Sequence, residues 1–407
     1  MSLSPNRDSA RGSAGENQAR IALEDELLAK VVSIEAAVKL SDIDGLVNLA
    51  TSNGGFLNDE LRCKAWPILL GSNIECEEAD GTEDQPGRWK ELPCHRDEDQ
   101  VHLDVNRAFV YYPSESEKEI ENRKSMLSDL IIQVLREHPL LCYFQGYHDI
   151  IQVFLLVLGP KLAPPAVRRI SLFRIRDYML PSLAPSLRHL HIIPALLELA
   201  DVDLGQHLSH TRPFFALAAT LTLYAHDIQE YSDIARLYDF LLAHEPVVAI
   251  YMFTAIIISR RHELLEISVD DPEMLHFALS KLPQPLDLEL LINRTVQLFS
   301  SYPPDRLPRL IWWRLSPNSV LKTARDLKNR QSLKQGEIYF SQQARQLRRE
   351  ELQQKALQYV WKHRRPASSI SLAIVVGIMS FWFSRNGYDR FIWGSMQKFV
   401  GAVLGRR

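Results

Sequence analysis

The chain has 407 residues, 46% of them hydrophobic and 24% charged, with a formal net charge of −3. That is globular composition, enough for one large domain or two ordinary ones. Glycine is scarce, at 17 residues, no repeat is evident, and long apolar stretches recur at helical spacing. An all-α body is therefore favoured over a sandwich or barrel.

The near-neutral total hides an asymmetry. Residues 314–365 hold thirteen Lys/Arg against four Asp/Glu, and residues 366–407 hold five against one, which leaves −16 for residues 1–313. An acidic body is thus joined to a basic tail. A basic stretch can bind nucleic acid, or it can flank a membrane anchor on the cytosolic side. The four cysteines, Cys63, Cys76, Cys94 and Cys142, form no C-x-x-C pair. Reduced thiols in a cytosolic domain follow, and Cys94-His95 lacks a second pair with zinc-ligand spacing.

Residues 1–20 are polar and Ser/Gly-rich with no apolar core, which predicts a disordered leader and not a signal peptide. A first helix is expected over Glu24–Leu40. A second covers Leu57–Leu70, with Pro67 marking a kink or an end. Residues 72–100 are acidic and aperiodic and read as a surface loop. From Ser114 to Glu137 the apolar residues Leu127, Leu130, Ile131, Val134 and Leu135 fall on one helical face. Ile150–Leu158 reads as a buried helix. Further helices are expected at 166–179, 187–204, 213–226, 232–243, 246–260 and 273–281, and Leu286–Ser300 with Pro308–Trp313 closes a body spanning 21–315. Residues 316–365 are rich in Gln, Arg and Lys and read as a basic linker, either partly helical or a flexible coil about 35–42 Å across.

Pro366–Ser384 carries no charge across 19 residues, about enough to span a bilayer with little tilt. Lys362, His363, Arg364 and Arg365 precede it and set the N-terminal side in the cytosol. This is the pattern of a single-pass tail anchor. Its shortness suits the thin bilayer of the endoplasmic reticulum. In the 385–407 tail, Ile392, Met396, Phe399, Val400 and Val403 share one helical face, so that residues 391–405 fit an interfacial helix, with a re-entrant or second short span as the alternatives. The anchor accounts for the basic linker, so nucleic-acid binding is not expected.

Two short stretches flank the 114–137 helix: Val101-x-x-Asp104-x-x-Arg107 and Tyr143-x-Gln145-Gly146, the latter followed by Tyr147-His148-Asp149. Alone each reads as a solvated arginine or a turn. His148 could suggest Ser/His/Asp chemistry, but no serine stands in a nucleophile elbow. Together, in this order, they resemble the I-x-x-D-x-x-R and Y-x-Q-G motifs of TBC-domain Rab GTPase-activating proteins. Gly55 through Gly71, with Arg62, Trp66, Leu69 and Leu70, resembles the entrance of that domain. Arg236-Leu237-Tyr238-Asp239 resembles its R-x-W-D segment. Val101 stands for isoleucine, Tyr238 for tryptophan, and Tyr147-His148 for Met-Asn. With the tail anchor, these departures resemble the endoplasmic-reticulum-anchored subfamily.

The resemblance implies a multi-helix TBC domain acting on a membrane-bound Rab GTPase of the early secretory pathway, at the endoplasmic reticulum or Golgi. It implies no cofactor of the chain's own, since GTP and Mg belong to the partner. It assigns Arg107 to charge on the transferring phosphoryl group and Gln145 to the attacking water. A planar guanidinium, always charged, suits the first role, and an amide that both donates and accepts suits the second. Asp104 is expected to orient Arg107, Tyr143 and Gly146 to shape the Gln145 turn, and Arg236 with Asp239 to form a structural pair. The alternative is a catalytically inactive Rab-binding or membrane-tethering protein.

Overall fold

A computed structural model describes residues 8–72, 87–362, 374–379, 381–382 and 385. Among these the regular structure is helical, with no strand. The chain opens with α1 (Asp8–Leu40), α2 (Ile43–Thr51) and α3 (Asp59–Leu70), each packed on the others. Residues 8–20 thus extend the first helix, where the composition predicts a disordered leader.

Next come α4 (Glu98–Val105), α5 (Glu117–Glu137) and α6 (Tyr147–Phe173). Ser116 starts α5 in a capping box, and its backbone N–H donates to the Glu119 carboxylate at 2.9 Å. The expected apolar face is buried: Leu127, Leu130, Ile131, Val134 and Leu135 are all 5% exposed or less. α6 is the central post, packing on both α3 and α5. It bends at Gly159-Pro160, where Gly159 leaves helical angles (φ 68°, ψ 172°). Among the described residues it is the helix long and apolar enough to cross a membrane, but 61% of its most apolar stretch is buried, so it is a core helix.

The second half runs through α7 (Ala184–Leu190), α8 (Ile192–Ala200), α9 (Val202–His207), α10 (Leu217–Leu221), α11 (Tyr231–Leu242), α12 (Val248–Ser259), α13 (Arg261–Glu266), α14 (Pro272–Leu279) and α15 (Leu288–Ser301). The nearly all-apolar α12 is enclosed by α8, α10 and α15. Short α16 (Ile311–Arg314) and α17 (Val320–Thr323) lead to α18 (Leu333–Lys362).

The first compact unit continues to Ala344, which moves the end of the body well past 315. The reason lies in a few specific contacts. Buried Asp177 accepts from Ser319 Oγ at 2.6 Å and from the Val320 N–H at 3.0 Å, and pairs with His189 Nε2 at 3.0 Å. Burial opposes its charge, but His189, Arg176 and Ser319 hold its carboxyl down at about 2. Arg169 donates to the Gln331 carbonyl at 2.7 Å, and His138 meets Glu337 at 2.7 Å. The second unit, Arg345–Arg407, begins inside α18. Of the linker expected over 316–365, the first part is packed chain and Leu333–Lys362 is helix, so the partly helical alternative fits better than a flexible coil; residues 363–365 lie outside the described residues. Of the 366–384 segment, residues 374–379 and 381–382 are helical with exposed side chains. The rest of it, and the 391–405 face, lie outside the described residues.

Candidate functional site

Helix α4 ends at Val105, capped by Asn106, and the chain turns sharply, with the Arg107 N–H donating to the Asp104 carbonyl at 3.0 Å. The turn is held from two sides. Lys124 Nζ of α5 donates to the Asn106 carbonyl at 2.8 Å. The Phe109 N–H, in a left-handed residue (φ 61°), donates to Gln152 Oε1 of α6 at 2.9 Å. Between these fixed points the Arg107 side chain is exposed. Its guanidinium forms no hydrogen bond or ion pair among the described residues.

The second loop joins α5 to α6. Its backbone is anchored by Cys142 N–H to the Met179 carbonyl at 2.8 Å and by Tyr143 N–H to Asp97 Oδ2 at 2.9 Å. Gln145 is exposed at its tip, and its amide likewise has no side-chain partner among the described residues. Gly146 then adopts φ 100°, and a Cβ there would stand 2.6 Å from Thr222 Cγ2. Both the backbone angle and the space demand glycine. The tight turn lets α6 begin at once, with the Asp149 N–H on the Gly146 carbonyl at 3.2 Å.

One side chain ties the loops together. The Tyr143 hydroxyl donates to Asp104 Oδ2 at 2.9 Å, joining the residue three before Arg107 to the residue two before Gln145. Asp104 also accepts from Gln100 Nε2 at 3.0 Å. The Asp104 carboxylate, expected to orient Arg107, is held by Tyr143 and Gln100, and Asp104 meets Arg107 through its backbone carbonyl. His148 Nδ1 lies 3.2 Å from the same hydroxyl, and its Nε2 lies 3.3 Å from Asp149 Oδ1. Asp149 Oδ2 meets His226 Nδ1 at 3.1 Å.

The electrostatics follow from burial and these carboxylates. Burial, then the charge of Asp104, pushes Tyr143 far above the ordinary tyrosine range, so the hydroxyl stays protonated. Burial pulls His148 below its usual value against the pull of Asp149 and Asp104. The hydrogen bond to Asp149 raises His226 above its usual value.

Arg236 and Asp239 lie in the core, away from these loops. Both are buried, at 6% and 0% exposed, and they serve different partners, not each other. Arg236 pairs with Glu289 at 2.6 Å and donates to the carbonyls of Ala50 and Ser52 at 2.9 and 3.0 Å. Asp239 accepts from Arg62 Nε at 3.1 Å, Trp66 Nε1 at 2.8 Å and the Phe56 N–H at 3.0 Å. The two meet only at Gly55, where a Cβ would stand 2.5 Å from Asp239 Oδ2 and 2.9 Å from Arg236 Nη1. The expected structural pair is thus two interlocked ion pairs that close α11 onto α3, α2 and α15.

Sequence reasoning missed Gln152, Lys124, Thr222 and His226. Gln152 carried a usable signal, a polar residue inside the apolar run of α6 that had to find a partner. The others have none that is local.

Most of the motif residues are thus locked into a helical core, while Arg107 and Gln145 are exposed and without side-chain partners among the described residues. The chain belongs to the Rab-GTPase-TBC domain family, which matches residues 59–265. It is 35% identical to mouse TBC1 domain family member 20 over 69% of each chain. It is 30% identical to the GTPase-activating protein gyp10 of Schizosaccharomyces pombe, over 78% of this chain and 84% of that protein. In fold it resembles the crystal structure of the Ypt/Rab-GAP domain of Gyp1p, with a TM-score of 0.51, 16% identity and coverage of 64% of this chain and 94% of that one. A Chlamydomonas flagellar RabGAP TBC domain matches with a TM-score of 0.50 and 15% identity, over 72% and 96%.

Proposed function

We propose that this chain is a GTPase-activating protein that accelerates GTP hydrolysis by a membrane-bound Rab GTPase of the early secretory pathway, supplying Arg107 and Gln145 in trans. The observation that carries this reading is the state of the two side chains. Both are exposed and without partners among the described residues, on loops joined by the Tyr143–Asp104 hydrogen bond. An arginine held ready at a rigid turn can enter a partner's nucleotide site and donate to the charge that develops on the γ-phosphate and bridging oxygen. A glutamine on a fixed turn can hold the attacking water in line. The partner brings GTP and Mg. Near Arg107 in the chain, Leu103, Val110 and Tyr111 are 58, 72 and 54% exposed, apolar surface suited to a protein partner.

In this reading the 366–384 segment anchors the chain in the endoplasmic reticulum membrane, with the helical domain in the cytosol. Prenylated Rab proteins share such surfaces, so anchoring raises the effective concentration of enzyme at its substrate. The full chain in detergent micelles is tested against a panel of GTP-loaded Rab proteins. At least one should hydrolyse its GTP faster. In small GTPases of the Ras type, an arginine finger is worth about 10³–10⁵-fold. Arg107→Ala should accordingly lower the stimulated rate by about 10³-fold while the GTPase still binds. Equal rates for parent and variant would exclude the arginine's role.

A further inference from the structure

The turn that follows α10 is built in an unusual way. Leu223 and Tyr224 are consecutive non-glycine residues with positive φ, 47° and 68°. Such angles are sparsely populated and persist only where the surroundings fix them. Here they are fixed. Both side chains are buried, the Tyr224 hydroxyl donates to the Ala249 carbonyl at 2.6 Å, and its N–H donates to the Ala219 carbonyl at 2.7 Å. The contorted backbone brings two side chains, one on each side of the strained pair, against the segment that carries Gln145. Thr222 fills the space beside Gly146, and His226 Nδ1 reaches Asp149 Oδ2 at 3.1 Å.

We propose that the Thr222–His226 turn is the positioning element for Gln145, and that His226 in its protonated form is the titratable tether holding it there. The proposal rests on the hydrolytic role given to Gln145 above. Thr222 limits where Gly146 can move. The His226–Asp149 pair holds the first turn of α6 from outside the helix. Neither residue is placed to touch a nucleotide. Each acts through the glutamine.

The tether has a direction in pH. The groups facing His226 are Asp149 and His148 from α6 and Asp227 from its own turn, with Tyr143 and Asp104 behind His148. The carboxylates prevail, and His226 titrates above its ordinary value of 6.5. The ion pair is therefore intact below that raised value and lost as pH rises through it. The step that depends on Gln145 should weaken in the same window.

The experiment uses the full chain, saturating over a GTP-loaded Rab protein that it stimulates, in single turnover from about pH 6 to about pH 8.5, the span in which histidines titrate. Each rate is divided by the GTPase's own rate at that pH. The ratio should fall by about 2–5-fold as pH rises, as expected for loss of one exposed ion pair. The loss should appear in the maximal rate, not in the concentration giving half of it. His226→Ala should give a flat, low profile, and His226→Lys, a permanent cation, a flat profile near the parent's acidic plateau. In the isolated chain, the histidine nitrogen NMR signal of His226 should titrate above 6.5 and move down in Asp149→Asn. An alanine variant with the parent's rate and pH profile overturns the proposal, and so does a His226 titration indifferent to Asp149→Asn. If no GTPase responds to the parent, the hydrolytic role falls, and the NMR arm still decides the tether.

Discussion

The ring of residues around Asp239 and the pair Arg107 and Gln145 come from the same family signature and meet opposite fates. Gly55, Arg62, Trp66, Arg236 and Asp239 are drawn from two stretches far apart in the chain and close on one another in the core. Asp239 accepts three kinds of donor and is 0% exposed. Arg107 and Gln145 are exposed and have no polar partner among the described residues. A satisfied charge stabilises a fold. An unsatisfied one at the surface is free to act on another molecule. The two regions should therefore separate cleanly when substituted, the first in stability and the second in rate.

The largest effect on stability belongs to Asp239→Ala. It leaves the Arg62 guanidinium, itself 6% exposed, with Asp59 as its remaining carboxylate, and strips Trp66 Nε1 and the Phe56 N–H of their acceptor. Breaking a buried pair from one side costs about 3–5 kcal/mol. Urea unfolding should show a midpoint lowered accordingly, and any stimulation of a GTPase should vanish through loss of folded protein. A stability within about 0.5 kcal/mol of the parent, the range of ordinary surface changes, would mean the ring is not the scaffold.

Gly146→Ala lies between the two regions. The alanine must hold φ 100° and push Thr222 aside. Left-handed strain of this kind costs about 1–3 kcal/mol. The damage should be local, so hydrogen exchange should quicken at the start of α6 while α12 and α15 stay protected. The stimulated rate should fall by more than the global stability does. Uniform loss of protection across the domain would place Gly146 with the scaffold instead of with the pair.

Much of this was legible in the sequence, for reasons that differ by region. Helical periodicity is local, so the amphipathic run of α5 and the apolar run of α6 read correctly, and the all-α fold followed from them. The two loops stood out because their motifs span a few residues each. Long-range pairings leave no local trace. Nothing near Arg236 names Glu289 as its partner, and nothing near Gly146 names Thr222. The end of the body was misplaced for a related reason. Residues 316–344 average as polar and basic, yet Val320, Leu321 and Phe340 are 3% exposed or less, and Asp177, Arg169 and His138 bind the chain between them. A few well-spaced anchors hold a segment whose averaged hydropathy is that of a linker.

The smallest effect on stability, and the sharpest test of the comparison, belongs to Gln145→Ala. The side chain is exposed and donates to nothing among the described residues, so its loss should move the stability by no more than about 0.5 kcal/mol. The backbone of the turn does not depend on it, because Tyr143 N–H, Cys142 N–H and Gly146 keep their own contacts. Any change in rate must then come from the missing amide itself. A water held by one fixed acceptor and donor gains orientation that bulk water lacks, and positioning of this kind is worth about 10²-fold or more. A fall of that size in the maximal rate, with Rab affinity and domain stability both unchanged, would place Gln145 on the reacting water. An equal fall in affinity would move it to the docking surface. No fall at all would return the water to the GTPase's own residues and leave Arg107 as the chain's single contribution.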